Sequence, residues 1–171
     1  GKPRIAVLPF DNMSGEADQE YFSDGITEDI ITELSRFRDL FVIARHSSFA
    51  FKNQAMDITD IGRKLGVQYL VEGSIRKSAG RVRITAQLIE VATGSHIWAD
   101  RYDRVLEDIF AVQDEVVRTI TATLVGKVGL VHSDRAHNKL PSSMDAYDWF
   151  VQGRELYSTT TSRDNSKAIV M

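Results

Sequence analysis

The chain has 171 residues, with 21 Lys and Arg against 24 Asp and Glu for a formal net charge of −3, and no cysteine. That length supports one medium domain, or one domain and a piece of another, with a core large enough to need neither disulfide nor structural metal. The missing cysteines exclude disulfide frameworks, thiolate metal sites and cysteine nucleophiles, and the slightly negative balance argues against nucleic acid as the main ligand.

In chain order, residues 4–10, RIAVLPF, are a nearly continuous apolar run closed by Pro9 and the turn-rich DNMSG, the pattern of a buried strand feeding a loop. After an acidic loop to about Glu20, Ile26, Ile30, Ile31, Leu34 and Phe37 recur at helical spacing, with Ser23 or Asp24 as the expected N-cap. Residues 40–45, LFVIAR, read as a second short strand, and HSSFAFKNQ reads as a polar connection. A second helix follows, capped by Asp57 or Thr59, with Ile58, Ile61 and Leu65 inward and Gly66 as its stop.

Residues 67–77, 81–91 and 96–102 then read as consecutive strands of an antiparallel meander, turning at Ser78-Ala79-Gly80 and at Ala92-Thr93-Gly94-Ser95. In the middle strand Val82, Ile84, Ala86 and Leu88 alternate with Arg81, Arg83, Thr85 and Gln87, so one face meets a core and the other meets water. Residues 106–125 carry the longest helical pattern, with Gly126 at its end. The expected fold is α/β, a mixed sheet of about five strands in the order β-α-β-α-β-β-β-α with helices mainly on one face. The domain should cover residues 3–126, followed by a linker over 127–142 and a terminal helical segment over 143–171. The chain ends in AIVM without a helix terminator, which reads as a piece of a longer protein. Without an apolar run near the roughly 20 residues of a spanning helix, and without a signal-peptide pattern, it reads as soluble, with no direct membrane insertion.

The search for chemistry returns mostly structural readings. The eleven glycines are scattered singly, so no phosphate-cradling loop or dinucleotide fingerprint forms, and no cofactor is expected. Asp11 ends the first strand, where a metal-holding or basic carboxylate can sit, but Asp11, Asn12 and Ser14 can equally satisfy backbone groups in a turn. His46, His96, His132 and His137 lack ligand spacing, so no metal site is expected. Ser47 and Ser48 lack the glycine-flanked elbow of a nucleophile. Asp24, Glu28 and Asp29 fit a solvated first turn better than an acid–base cluster. No catalytic residue is assigned.

Two constellations remain as binding candidates. Asp11, Asn12, Ser14, Arg45 and Ser48 lie at strand ends and could line a small-molecule pocket. Along the last strand His96, Trp98, Asp100 and Tyr102 share a face that could adjoin Arg83, Thr85 and Gln87. That mixture suits a protein interface, unless the chain's own helices cover Trp98 and Tyr102.

The stretches IAVLPFDNMSG, EYFSDGITEDIITELSRF, VQYLVEGSIRKSAGRVRITAQLIEVATGSHIWADRYDR and LEDIFAVQDEV resemble the TolB amino-terminal-like domain of bacterial adenylate and guanylate cyclases with tetratricopeptide repeats, and of related membrane-tethered transcription regulators. The resemblance spans residues 3–126 or so. It implies a regulatory module between an output domain, often a class III cyclase, and a helical repeat array whose start would lie at residues 143–171. Trp149, Gly153, Leu156 and Ala168 fit such a repeat, with an insertion of about three residues and Gln152 as departures. The implied role is noncatalytic: a regulatory or protein-interaction domain in bacterial cyclic-nucleotide signal transduction, or alternatively a small-molecule sensor. Its partners would be a protein or neighbouring domains of the same polypeptide, and a truncated repeat could dimerise through its exposed terminal helices. The expected compartment is the cytoplasm, or the periplasm if a spanning helix precedes the chain.

Overall fold

The computed structural model describes residues 2–14 and 17–137. Residues up to Val128 form one compact unit. Its elements are β1 (Arg4–Val7), β2 (Asp11–Asn12), α1 (Ala17–Leu34), β3 (Phe41–Val42), α2 (Arg45–Phe49), α3 (Ile58–Leu65), β4 (Tyr69–Ser78), β5 (Arg81–Glu90), β6 (His96–Val105) and α4 (Ile109–His137). The α/β class and the mixed sheet are as expected. The sheet order is β3-β1-β4-β5-β6, with β2 pairing β4 beyond the end of β1. β1, β2 and β3 run parallel to their neighbours, and β4, β5 and β6 form the antiparallel meander.

The central strands are apolar because both of their faces are covered. Ile5, Ala6 and Val7 of β1 and Tyr69, Leu70 and Val71 of β4 are all buried, as befits strands fed by helical crossovers. On one face lie the two long helices. α1 contacts β1, β2 and β4 through a stripe that includes Phe22, Ile26, Ile30 and Leu34. α4 follows beside it, joined to α1 by a bond from Gln113 Nε2 to Asp29 Oδ2 (2.7 Å). On the opposite face the short α3 packs Ile61, Ile58 and Leu65 against Ala6, Leu8, Ile43, Leu70 and Val91. Gly62 allows that approach: a Cβ there would stand 2.5 Å from the Val91 side chain. Helices thus lie mainly on one face, and the second face is covered only at the β1 end of the sheet.

Local chemistry sets the ends of α3 as the sequence predicts. The Asp57 carboxylate accepts from Thr59 N (3.0 Å), and Gly66 closes the helix in the left-handed region at φ 69°.

Several elements differ from the sequence reading. α1 begins at Ala17, not near Ser23. Gln19 and Phe22 are buried and extend the inward face a turn and more toward the N-terminus, while Ser23 donates back to Gln19 O inside the helix. β3 is only Phe41–Val42, and α2 (Arg45–Phe49) takes in Arg45, read as the end of that strand, and residues 46–49, read as a polar connection. α4 does not stop at Gly126 but runs to His137. Nothing lies within 4 Å of where a Cβ on Gly126 would be, so this glycine is an exposed, tolerated interruption and not a cap. Residues 127–137 of the expected linker are therefore helical. The rest of that linker and the expected repeat at 143–171 lie outside the described residues.

Candidate functional site

Between β4, β5 and β6 the uncovered face of the sheet forms an open trough of about 580 Å³. Cross-strand register builds it. Glu72 pairs with Gln87, Ser74 with Thr85 and Arg76 with Arg83, while Gln87 pairs onward with Ala99, Thr85 with Arg101 and Arg83 with Asp103. β2 adds Asp11 beside Ser74. Within this row the polar groups satisfy one another. Gln87 Nε2 donates to Glu72 Oε1 (2.5 Å), Ser74 Oγ meets Thr85 Oγ1 (2.5 Å), and Arg83 Nε donates to Asp103 Oδ1 (2.8 Å). The Arg83 guanidinium lowers the Asp103 carboxyl below the ordinary carboxylate range.

Glu72 is the perturbed group of the trough. Its burial pushes the carboxyl up and Asp11 adds to the rise, against the opposing influence of His96 and of the Gln87 hydrogen bond. A carboxyl raised in the folded state penalises folding once it ionises. Stability is therefore undiminished below the unfolded value and falls as pH rises through the folded one. Glu72→Gln removes that penalty. Because the side chain is only partly buried and so remains screened, the expected gain at neutral pH is at most about 1 kcal/mol. It should vanish in acid below the carboxylate range, and thermal melts of both proteins across pH measure it.

The structure separates the strand-end candidates. Asp11 is exposed in the trough, whereas Asn12 and Ser14 serve the turn beyond it. Asn12 Oδ1 accepts from Ser14 N (3.0 Å), and Ser14 Oγ accepts from Lys77 N (2.8 Å). Arg45 and Ser48 belong to α2. Arg45 Nε donates to Glu28 Oε2 (2.6 Å) and its guanidinium covers the Phe49 ring, while Ser48 is fully buried. Of the five, Asp11 alone lines the trough.

The second constellation is divided by register. Trp98, Asp100 and Tyr102 oppose Leu88, Ala86 and Ile84, the inward residues of β5, and so face α4. Tyr102 is buried there, and this burial raises its phenol. Gln87 lies on the other face, in the trough beside Ala99, and Arg83 lies on that same face beyond the trough, opposite Asp103. His96 is exposed at the start of β6, beyond an irregularity at Leu88/Ile89. The expected adjacency of Trp98 and Tyr102 with Arg83 and Gln87 is thus corrected: residues one position along β6 take that place.

The sequence reading missed one ion cluster. Lys52 bonds Asp24 (2.8 Å) and Glu20, on successive turns of α1, with Glu28 and Arg45 one turn further. The spacing of four at Glu20, Asp24 and Glu28 was the available signal. Burial lowers the Lys52 ammonium, but bonds to both carboxylates outweigh it and hold it above its ordinary value. Among the described residues no group of His, Asp and Glu is placed to hold a metal, and no helix is long and apolar enough to cross a membrane.

Comparison with known proteins gives three findings. Residues 1–119 match the family described as the second domain of HilA/YgeH-like transcriptional regulators. The chain is 56% identical over 154 residues to the putative adenylate cyclase 3 of Rhizobium meliloti, covering 90% of this chain and 26% of that protein, so it spans about a quarter of the relative's length. Among solved structures, lipoprotein GNA1162 of Neisseria meningitidis shares the fold with TM-score 0.53 at 13% identity, over 72% of this chain and 99% of that one. TolB of Acinetobacter baumannii aligns with TM-score 0.49 at 20% identity, over 74% of this chain and 29% of that one.

Proposed function

This chain belongs to the family of second domains of HilA/YgeH-like transcriptional regulators, and from that membership we propose that it is a noncatalytic regulatory domain of a longer bacterial signalling protein, an adenylate cyclase whose catalytic domain lies elsewhere in the polypeptide. One observation carries the reading. A domain assigned to transcriptional regulators recurs at 56% identity as about a quarter of a putative adenylate cyclase. A module that accompanies two different outputs does work that neither output's chemistry defines, and regulation through contact is such work.

The occupant of its surface is a neighbouring domain of the same chain. Three-quarters of the relative lies outside the matched region, and a tethered domain is present at high effective concentration, so a weak polar surface suffices to hold it. The trough carrying Gln87, Glu72 and Arg101, with Arg83 on the same face beyond it, offers that surface: open and charged, it does not exclude water as a reaction centre must.

The test is direct. The 171-residue chain, incubated with ATP or GTP and a divalent cation, should form no cyclic nucleotide. The full-length parent lacking residues 1–128 should still form cyclic AMP, at a rate that has lost its normal control. Turnover by the isolated chain, or a full-length protein indifferent to the deletion, overturns the reading.

A further inference from the structure

β6 is an edge strand: among the described residues it pairs only with β5, and it is as long as the strand it pairs with. Two of its outward main-chain groups are held by its own side chains. Arg101 N donates to the carboxylate of Asp100 (2.8 Å), and Asp103 O accepts from the Arg104 guanidinium (3.0 Å). These bonds show that Arg101 N–H and Asp103 C=O point away from β5, and place the outward groups on the odd-numbered residues.

We infer that β6 pairs antiparallel with β6 of a second copy of this chain, about a twofold axis at Tyr102, to make one continuous sheet across the dimer.

Charge complementarity selects both the occupant and the register. Side chains directly opposed in a sheet share a face, so only registers that match odd with odd and even with even are allowed. Centred on Arg101, the pairing sets that residue against its own copy. Centred on Asp103, it sets carboxylate against carboxylate. Centred on Tyr102, Arg101 opposes Asp103 of the other copy, Asp100 opposes Arg104, and Ala99 opposes Val105, whose side chain is 55% exposed.

The same register resolves the self-capping. Arg101 N–H and Asp103 C=O, each covered by a local side chain in the single copy, become each other's partners across the axis. The released Asp100 carboxylate and the Arg104 nitrogen that had bonded Asp103 O then face one another. Arg104 keeps its paired bonds to Glu115 (2.6 and 2.7 Å) throughout, and Asp103 keeps Arg83. Edge strands guarded against pairing carry charged side chains, bulges or proline. This one carries alternating charges that match their own reversal.

Sedimentation velocity of the 171-residue chain over a concentration series tests the inference. The wild type should be a dimer. Arg101→Asp sets aspartate against Asp103 at both symmetry-related positions, and Asp103→Arg sets arginine against Arg101. Each should raise the dissociation constant at least about 100-fold. Mixed together, the two variants should form a heterodimer, since both opposed pairs are again unlike.

Ala99→Pro supplies a charge-independent arm. It removes an outward N–H at an edge position that tolerates proline, and should give a folded monomer. Circular dichroism verifies folding in each variant. A wild type that stays monomeric through the millimolar range overturns the inference, as does a dimer that persists in Arg101→Asp and Ala99→Pro.

Discussion

Gly73→Ala should cost at least about 3 kcal/mol, at the upper end of what overpacking a core inflicts, and lower the melting temperature by roughly 10 °C for a chain of this size. Gly73 sits in the middle of β4 opposite Ala86 of β5. A Cβ there would stand 2.3 Å from the carbonyl oxygen of Thr85 and 2.5 Å from the Phe10 ring. The two obstacles differ in kind. Phe10 is a side chain, buried to 1% exposure, which could tilt at the expense of its packing. The Thr85 carbonyl is main chain in the adjoining strand and can retreat only if the ladder between β4 and β5 opens.

A second substitution separates the two. Phe10→Leu shortens the ring side but leaves the carbonyl in place, so Phe10→Leu/Gly73→Ala should recover little of the loss. Differential scanning calorimetry of the single and double variants decides it: a Gly73→Ala protein melting within a degree or two of wild type would show that the strands are not held as closely as described.

The notch that Gly73 and Ala86 leave is what seats the loop after β1. Phe10 occupies it, and Phe10 N donates to Thr27 Oγ1 of α1 (2.9 Å), which in turn donates to Ser23 O (2.9 Å). The buried amide is thereby satisfied by the helix that covers it. β2 then leaves this anchor to pair with β4 and brings Asp11 to the trough. A small residue in a central strand, an aromatic from a loop and a helix threonine thus position one wall of the candidate surface.

That arrangement also marks the limit of what the residues alone disclose. The meander was legible because Gly80 and Gly94 take the left-handed conformations its turns require, at φ 78° and 72°, and because β5 alternates between core and solvent from Arg81 to Leu88. α3 was legible from its cap and its terminating glycine. Face assignment on β6 was not. The irregularity at Leu88/Ile89 changes the count of residues across the second turn, and a shift of one position sends every side chain to the opposite face. Trp98 and Tyr102, read beside Arg83 and Gln87, therefore lie toward α4. Gly126, read as the end of α4, misled as well. Gly25 lies within α1, at ordinary helical angles, where a Cβ would come 3.3 Å from the Gln113 side chain of α4. Gly126 sits exposed in mid-helix. Neither has the positive φ that makes a glycine a stop, and a lone sequence does not distinguish the two uses.

Ile120→Ala should be the most damaging change on α4, costing about 2 to 5 kcal/mol and lowering the melting temperature by roughly 10 °C. Ile120 is wholly buried, in a stripe with Val116, Val117, Leu124 and Val128. Truncating it leaves a void that cannot readily collapse, because polar ties fix the helix over the sheet around it. Arg104 of β6 grips Glu115 with two bonds, Gln113 holds Asp29 of α1, and Tyr102 of β6 bonds the Thr123 side chain. Ties of this kind keep the helix from sliding into the space and so raise the residual cavity term. Phe110→Ala on the same helix provides the contrast. That ring is 71% exposed, and its loss should change stability by no more than about 0.5 kcal/mol. Chemical denaturation of both variants reads the difference. Equal costs would mean that α4 rests on the sheet by its first turn and not along this stripe.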